Sequence, residues 1–235
     1  MKKLLYLIIV SAVFISCSKE EKIDRDVIYQ AGLFKDLLAG QYEGFVKCSE
    51  FDKYGDFGIG TIDGLDGEGI ELNSEKLTIN WQGNVITVPQ SATTPFIMTT
   101  FFDTDKEQNL NQELDYPALQ QYIESLLPDK NDLYIIKISG NFKYLKTRSI
   151  EKQAKPYIPL LDVLKDQKLF EFNDQDGTMI GFYIPEEYKD VNFVGYHFHF
   201  LTSDKSAGGH VLELSTRDVL IEIDYTDSIQ LISNF

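Results

Sequence analysis

The spacing of apolar and polar positions changes period several times along the chain, and each change predicts an element. Between Asp26 and Ala39, residues Ile28, Leu33, Leu37 and Leu38 fall near one face at helical spacing, with Asp26 placed to cap the first turn and Gly40 to end it. A short amphipathic helix is expected there. From Gly44 to Pro89, β-branched and aromatic residues predominate, and Asp63-Gly64 and Asp66-Gly67 favour tight turns, so this stretch reads as a strand meander. Helical period returns from Asp115 to Leu127, with Pro117 tolerated in the first turn and Pro128 ending the element. Leu133 to Arg148 alternates at period two through Tyr134, Ile136, Ile138, Phe142 and Tyr144, which predicts a long strand bent at Gly140. Pro156 to Gln167 is a short helical stretch. Thr178 to Ile184, Val194 to Leu201, His210 to Leu214, Val219 to Tyr225 and Ser228 to Ile232 read as strands. Strands outnumber helices, so the expected class is α+β, with mixed, largely antiparallel sheets and a few short helices in two closely packed α/β subdomains.

The first residues follow another logic. Met1-Lys2-Lys3 is a basic start, and Leu4 to Phe14 is an apolar run too short to span a bilayer but suited to a secretory signal. Phe14-Ile15-Ser16-Cys17 resembles a bacterial lipoprotein signal in which the cysteine becomes the lipidated first residue. The expected organisation is a signal over 1–17 with its anchor at Cys17, a polar tether over 18–26, and one domain over 27–235. Such a chain is exported and anchored in the bacterial envelope.

Composition narrows the functional classes. The 235 residues carry a formal net charge of −15, which argues against nucleic acid as a partner. Only two cysteines are present, so neither a disulfide framework nor a Cys-rich zinc module can form. Cys48 is expected to be a small, half-buried apolar residue rather than a nucleophile.

All three histidines lie within one short stretch: His197-Phe198-His199, then Gly208-Gly209-His210. On a strand, His197 and His199 project to one face while Phe198 and Phe200 project into a core. The glycine pair lets the chain return to a second strand beginning at His210, which closes a three-imidazole site of the kind that binds zinc with open positions for substrate. Imidazoles alone do not choose between zinc, iron, nickel and copper. The competing reading is a pair of hydrogen-bonded core histidines and an unrelated third. No carboxylate nearby is an evident fourth ligand, since Glu213 falls on the opposite face and Asp204 is expected to be solvated in the loop.

Two other polar clusters stand in apolar surroundings. In Gly58 to Glu68, Asp63 and Asp66 read as solvated turn acids, and Glu68 is the acid best placed to aim inward from the end of the turn. In Lys143 to Ser149, Lys143 and Lys146 suit a solvated strand face. Arg148, at the strand end, can meet a carboxylate bidentately.

Taken together, Gly55-Asp56-Phe57-Gly58-Ile59-Gly60-Thr61, Leu65-Asp66-Gly67-Glu68, Lys146-Thr147-Arg148-Ser149 with Lys155-Pro156-Tyr157, Gly195 to Leu201, and Gly208-Gly209-His210-Val211-Leu212 resemble alpha-acetolactate decarboxylase, from about Tyr29 to the C-terminus. The resemblance implies a catalytic zinc on His197, His199 and His210, and decarboxylation of 2-acetolactate to acetoin and CO2. It further implies that Arg148 holds the substrate carboxylate, Glu68 moves the proton, and Thr61 orients substrate or water. Members of the family extend further past the last strands and draw another pocket glutamate from there, whereas this sequence runs to Phe235. The pocket is therefore expected to hold one carboxylate fewer or another acid in that place. The expected partners are the small-molecule substrate, the membrane only through the anchor at Cys17, and a second copy of the chain in a homodimer. Two alternatives are a different metal enzyme of cupin type, with Asp204 near the usual carboxylate spacing, and a non-catalytic surface lipoprotein that binds metal or glycan through exposed tyrosines.

Overall fold

The computed structural model describes residues 22–232. The expected signal and anchor at 1–17, and residues 18–21 of the tether, lie outside the described residues. The end of the tether rests on the domain: the Asp24 amide donates to the Tyr29 hydroxyl and Arg25 pairs with Asp103.

The first element corrects the sequence reading. The helix expected over Asp26–Ala39 is a strand, β1 (Val27–Ala31), followed by a single helical turn, α1 (Phe34–Leu38). All five residues of β1 are buried, so both of its faces are covered and the period-two signal that marks a half-exposed strand is absent. Gly32, at φ +76°, turns the chain into α1 where a Cβ would lie 2.0 Å from the Pro95 carbonyl oxygen.

The meander forms as expected. After β2 (Val46–Lys47) come β3 (Phe57–Thr61), β4 (Glu68–Leu72), β5 (Glu75–Ile79) and β6 (Val85–Thr87), each antiparallel to the next. Gly64 and Gly67 take φ +78° and +86° in the turns between β3 and β4. Strand β7 (Thr93–Thr94) pairs with β2, and β8 (Phe96–Thr100) returns between β1 and β3. The first sheet has seven strands, completed by β14 (Ser228–Leu231), which lies parallel to β1.

The second sheet closes on itself. It contains β9 (Lys106–Leu110), β10 (Leu133–Ser149), β11 (Lys168–Ile184), β12 (Gly195–Thr202) and β13 (Gly208–Thr226). β10 pairs with both β11 and β13, while β12 bridges those two, so β10 to β13 form a ring with β9 attached to β13. The helix over Tyr116–Leu126 (α2) is capped by Asp115, whose carboxylate accepts from the Ala118 amide at 2.9 Å. It packs Leu119 and Ile123 into the cluster formed by Ile136, Phe142, Phe198, Phe200 and Ile221. The stretch over 156–167 is helical only from Leu160 to Val163 (α3) and in the 3-10 turn that follows. His210–Leu214 and Val219–Tyr225, read as separate strands, are parts of the single strand β13.

Two cores result. One lies between the sheets, where Ile28, Ile59, Ile70 and Met98 meet Ile135, Ile180, Phe182 and Leu201. The other is the second sheet's own cluster. A register shift in β10 around Asn141 to Tyr144 decides which side chains reach which core. Before it, Leu133 and Ile135 face the first sheet; after it, the even-numbered Arg148 and Ile150 do. Unbroken alternation from Ile135 would point Arg148 the other way.

Candidate metal centre and active site

Register places four residues on one rung across the second sheet: Ile180 opposite His199, His199 opposite His210, and His210 opposite Arg148. Directly opposed residues share a face, so two imidazoles and the guanidinium project together toward the first sheet. His197, two residues back on β12, joins them, while Phe198 and Phe200 pack into the opposite core as their alternation predicted. The imidazole centroids are 4.8 to 5.4 Å apart, and one nitrogen from each ring lies within 4.8 Å of the others.

The first sheet supplies the facing groups. Nδ1 of His199 lies 2.8 Å from the Gly69 carbonyl, which can only accept, so Nδ1 carries the proton and Nε2 presents a lone pair. Glu68 opens β4 beside it, with Oε2 3.3 Å from His199 Nε2 and Oε1 3.7 Å from Arg148 Nε. Glu68 is only 6% exposed.

Five buried atoms here lack a hydrogen-bond partner: His199 Nε2, Nδ1 of His197 and of His210, Glu68 Oε1 and Arg148 Nε. Such groups are costly unless something else satisfies them. Burial pushes His197 and His210 well below the ordinary histidine range, and nearby Arg148 adds to the effect. For His199 burial also wins, over the opposing pull of Glu68. All three rings are thus held neutral, the form that ligates a cation. Orphaned lone pairs, neutral rings and a fixed tautomer fit a divalent metal that favours nitrogen ligands.

Thr61, Glu68, Arg148, His197 and His199 line one cavity of about 440 Å³ including its open mouth, walled by Phe34, Leu37, Leu65, Phe96, Ile150 and Leu160. His210 closes the imidazole triangle beside it. Among the described lining residues Glu68 is the one acid. The Thr61 hydroxyl donates to the Gly67 carbonyl at 2.9 Å, tying it to the turn immediately before Glu68. The other polar candidates fall outside the cavity. Asp63 accepts from the Gly44 amide and Asp66 lies near Lys152; Lys143 and Lys146 pair with Glu113 and Glu213 at the surface. Asp204 binds Thr202 and Ser206 within its own turn, which holds its carboxyl low, so it is not the fourth ligand that a cupin reading needs.

Cys48 is fully rather than half buried. Its thiol is pushed up to about 11, mainly by burial, and it lines a separate apolar cavity of about 310 Å³ behind Gly60 and Gly69. Tyr29, Tyr42 and Tyr134 are buried, which weakens the reading of a tyrosine-lined binding surface. Sequence reasoning missed the apolar walls, the Gly69 carbonyl, and Phe193, whose ring meets His197 edge-on at 5.7 Å. Only the apolar character of the walls was available as a signal.

Comparison with known proteins places relatives beside this chain. The family model described as "Alpha-acetolactate decarboxylase" matches residues 28–234. The chain is 41% identical over 201 residues to alpha-acetolactate decarboxylase of Methanosarcina mazei, covering 86% of this chain and 70% of that one. The crystal structure of alpha-acetolactate decarboxylase from Bacillus subtilis superposes with a TM-score of 0.85 at 36% identity, covering 87% of this chain and 88% of that one. A Staphylococcus aureus protein, described as of unknown function and similar to alpha-acetolactate decarboxylase, gives 0.84 at 31% identity over 87% and 88% of the two chains.

Proposed function

The chain belongs to the alpha-acetolactate decarboxylase family, and from that premise we propose that it converts 2-acetolactate to acetoin and CO2 with zinc held by His197, His199 and His210. The observation that carries this is the convergence of three neutral imidazoles, each with one buried nitrogen lacking a hydrogen-bond partner, with Arg148 and Glu68 beside one cavity. The chemistry a bound zinc supplies is Lewis-acid stabilisation of the negative charge that loss of CO2 leaves on the substrate's oxygens.

The chain's own residues account for the rest. Arg148 receives the carboxylate through charge-assisted hydrogen bonds, which an acidic protein needs in order to admit an anion. Its Nε is already desolvated and has no hydrogen-bond partner, so binding a carboxylate satisfies that donor. Glu68, beside both His199 and Arg148, is placed to take the proton from the tertiary hydroxyl or deliver it to the reacting carbon. Thr61 fixes the turn that aims Glu68, and its hydroxyl oxygen still has a lone pair for substrate or water. The apolar walls surround the methyl groups and exclude water.

Acetoin release from racemic 2-acetolactate by the purified protein, measured after chelation and again after zinc is restored, tests the reading. Zinc-dependent release is the expected result; no acetoin from folded, zinc-loaded protein would overturn it.

The location is proposed on sequence alone: export and a lipid anchor at Cys17. Cys17→Ser should leave the protein unlipidated and released from membranes; metabolic fatty-acid labelling reads this directly, and equal labelling of both forms would reject the anchor. A homodimer without nucleic acid is the proposed assembly.

A further inference from the structure

The Lys146-Thr147-Arg148-Ser149 segment contains two hydroxyls that the mechanism leaves unused. Both are completely buried, and each donates to the backbone of a different strand. Thr147 Oγ1 donates to the Gly208 carbonyl at 2.8 Å, two residues before His210. Ser149 Oγ donates to the Ile79 carbonyl at 2.7 Å, and Ile79 is the register partner of Glu68.

Arg148 therefore sits between two cross-strand clamps, one to the strand bearing a histidine and one to the sheet bearing the acid. Its own Nε has no hydrogen-bond partner and stands 3.7 Å from Glu68. With that nitrogen unanchored, the position of the guanidinium depends on where its backbone is held. The pairing with β13 is irregular at this point: the register shifts between Lys146 and Thr147, and the ladder there is less able to set the spacing alone.

We propose that Thr147 and Ser149 are positioning residues, whose hydroxyls hold Arg148 at the distances from His210 and Glu68 that decarboxylation requires. The inference rests on the reading of Arg148 as the carboxylate-binding group. It assigns the two neighbours an indirect role: neither touches substrate, and both act through the arginine.

The test uses the zinc-loaded full chain with Thr147→Val, Thr147→Ser, Ser149→Ala and, as the control for the underlying reading, Arg148→Met. Two probes separate loss of carboxylate recognition from general damage: the dihydroxy acid made by reducing the substrate's ketone, and acetoin, which lacks the carboxylate. Displacement of a catalytic group by about 1 Å can cost about 100-fold, so Thr147→Val and Ser149→Ala should each lower kcat/KM by about 10- to 100-fold. Inhibition by the dihydroxy acid should weaken in parallel, while inhibition by acetoin and zinc content stay at the wild-type level. Thr147→Ser, which keeps the donor, should recover most of the activity. Should Thr147→Val fail to fold, Ser149→Ala carries the same comparison through the other clamp.

An Arg148→Met protein with wild-type turnover would remove Arg148 from the mechanism, and this proposal with it. With Arg148→Met inactive, wild-type kinetics in the hydroxyl variants would overturn the positioning role alone. So would equal weakening of both probes, loss of zinc, or a Thr147→Ser protein as impaired as Thr147→Val.

Discussion

Gly209 sits where the two halves of the candidate site approach most closely, and Gly209→Ala is the sharpest perturbation of that approach. A Cβ there would lie 2.4 Å from the Arg148 carbonyl oxygen and 3.0 Å from Thr147 Oγ1, against 3.4 Å or more for ordinary contact. The shortfall at the carbonyl is therefore about 1 Å, and backbone must move to relieve it. The displaced segments are those bearing His210 and Arg148, which face each other on the same rung. A misplacement of that size predicts a loss of about 100-fold in kcat/KM, equivalent to about 2.7 kcal/mol of transition-state stabilisation. Stability should fall as well. The φ of +132° is strained for any residue with a Cβ, and crowding in a packed interior adds about 1–3 kcal/mol. For a chain of this length the melting temperature should drop by roughly 5–15 °C. Steady-state acetoin assays well below the lowered transition, with calorimetry on the same samples, measure the two effects separately. Activity within about threefold of wild type, together with an unchanged melting temperature, would refute the argument that close approach at Gly209 sets the Arg148–His210 spacing.

Other expectations are more direct. Arg148→Met should abolish turnover while the three-histidine centre still takes up zinc, as read by metal analysis after desalting; near-normal rate would exclude Arg148. Asp224 is buried at the start of a cluster with Asp103, Asp105 and Asp26, and burial, reinforced by those acids, pushes its carboxyl from 3.8 to about 7. A raised acid stabilises the fold fully below its unfolded pKa and loses that contribution as pH rises to the folded value. Asp224→Asn should therefore gain on wild type by roughly 2–4 kcal/mol between pH 4 and 7. Urea titrations across that range would show it, and a pH-independent difference would contradict it. Cys48, buried with its thiol pushed up to about 11, should resist thiol reagents at neutral pH until the protein unfolds. Rapid labelling of the native protein would mean that the first sheet opens locally.

Much of the site was legible because its signals are local. Period two set His197 and His199 on one face, the glycine pair before His210 permitted the return, and Glu68 was aimed inward by the turn that precedes it. The meander from β3 to β6 was equally plain, since Asp-Gly turns punctuate it. What could not be read depends on partners distant in sequence. β1 is buried on both faces inside a sheet, and its spacing imitates a helix. The first half of β11 has no buried residue and mixes Leu169, Phe170 and Phe172 with charged and amide side chains, and it pairs with β10 along its length. β9, Lys106–Leu110, has little strand propensity and is recruited by the edge of β13. The Gly69 carbonyl that fixes the His199 tautomer has no side-chain signature. The pocket walls from α1 and α3 are ordinary leucines until the fold brings them together.

The register shift near Asn141 has a consequence for how this enzyme tolerates change in length. A strand assigns its side chains to two faces by parity, and the irregularity in β10 inverts that parity between Ile135 and Arg148. The role proposed for Arg148 is thus tied to a count of residues as well as to an identity. Removing one residue between Tyr144 and Arg148, with the irregularity kept, would reverse that parity, turn the guanidinium to the opposite face and present Ser149 in its place. Every residue of the active centre would still be encoded in the gene, in the same order and with the same neighbours. An insertion or deletion in this strand can therefore silence the activity while the histidine motifs remain intact, so motif matching alone would count such a chain as an enzyme.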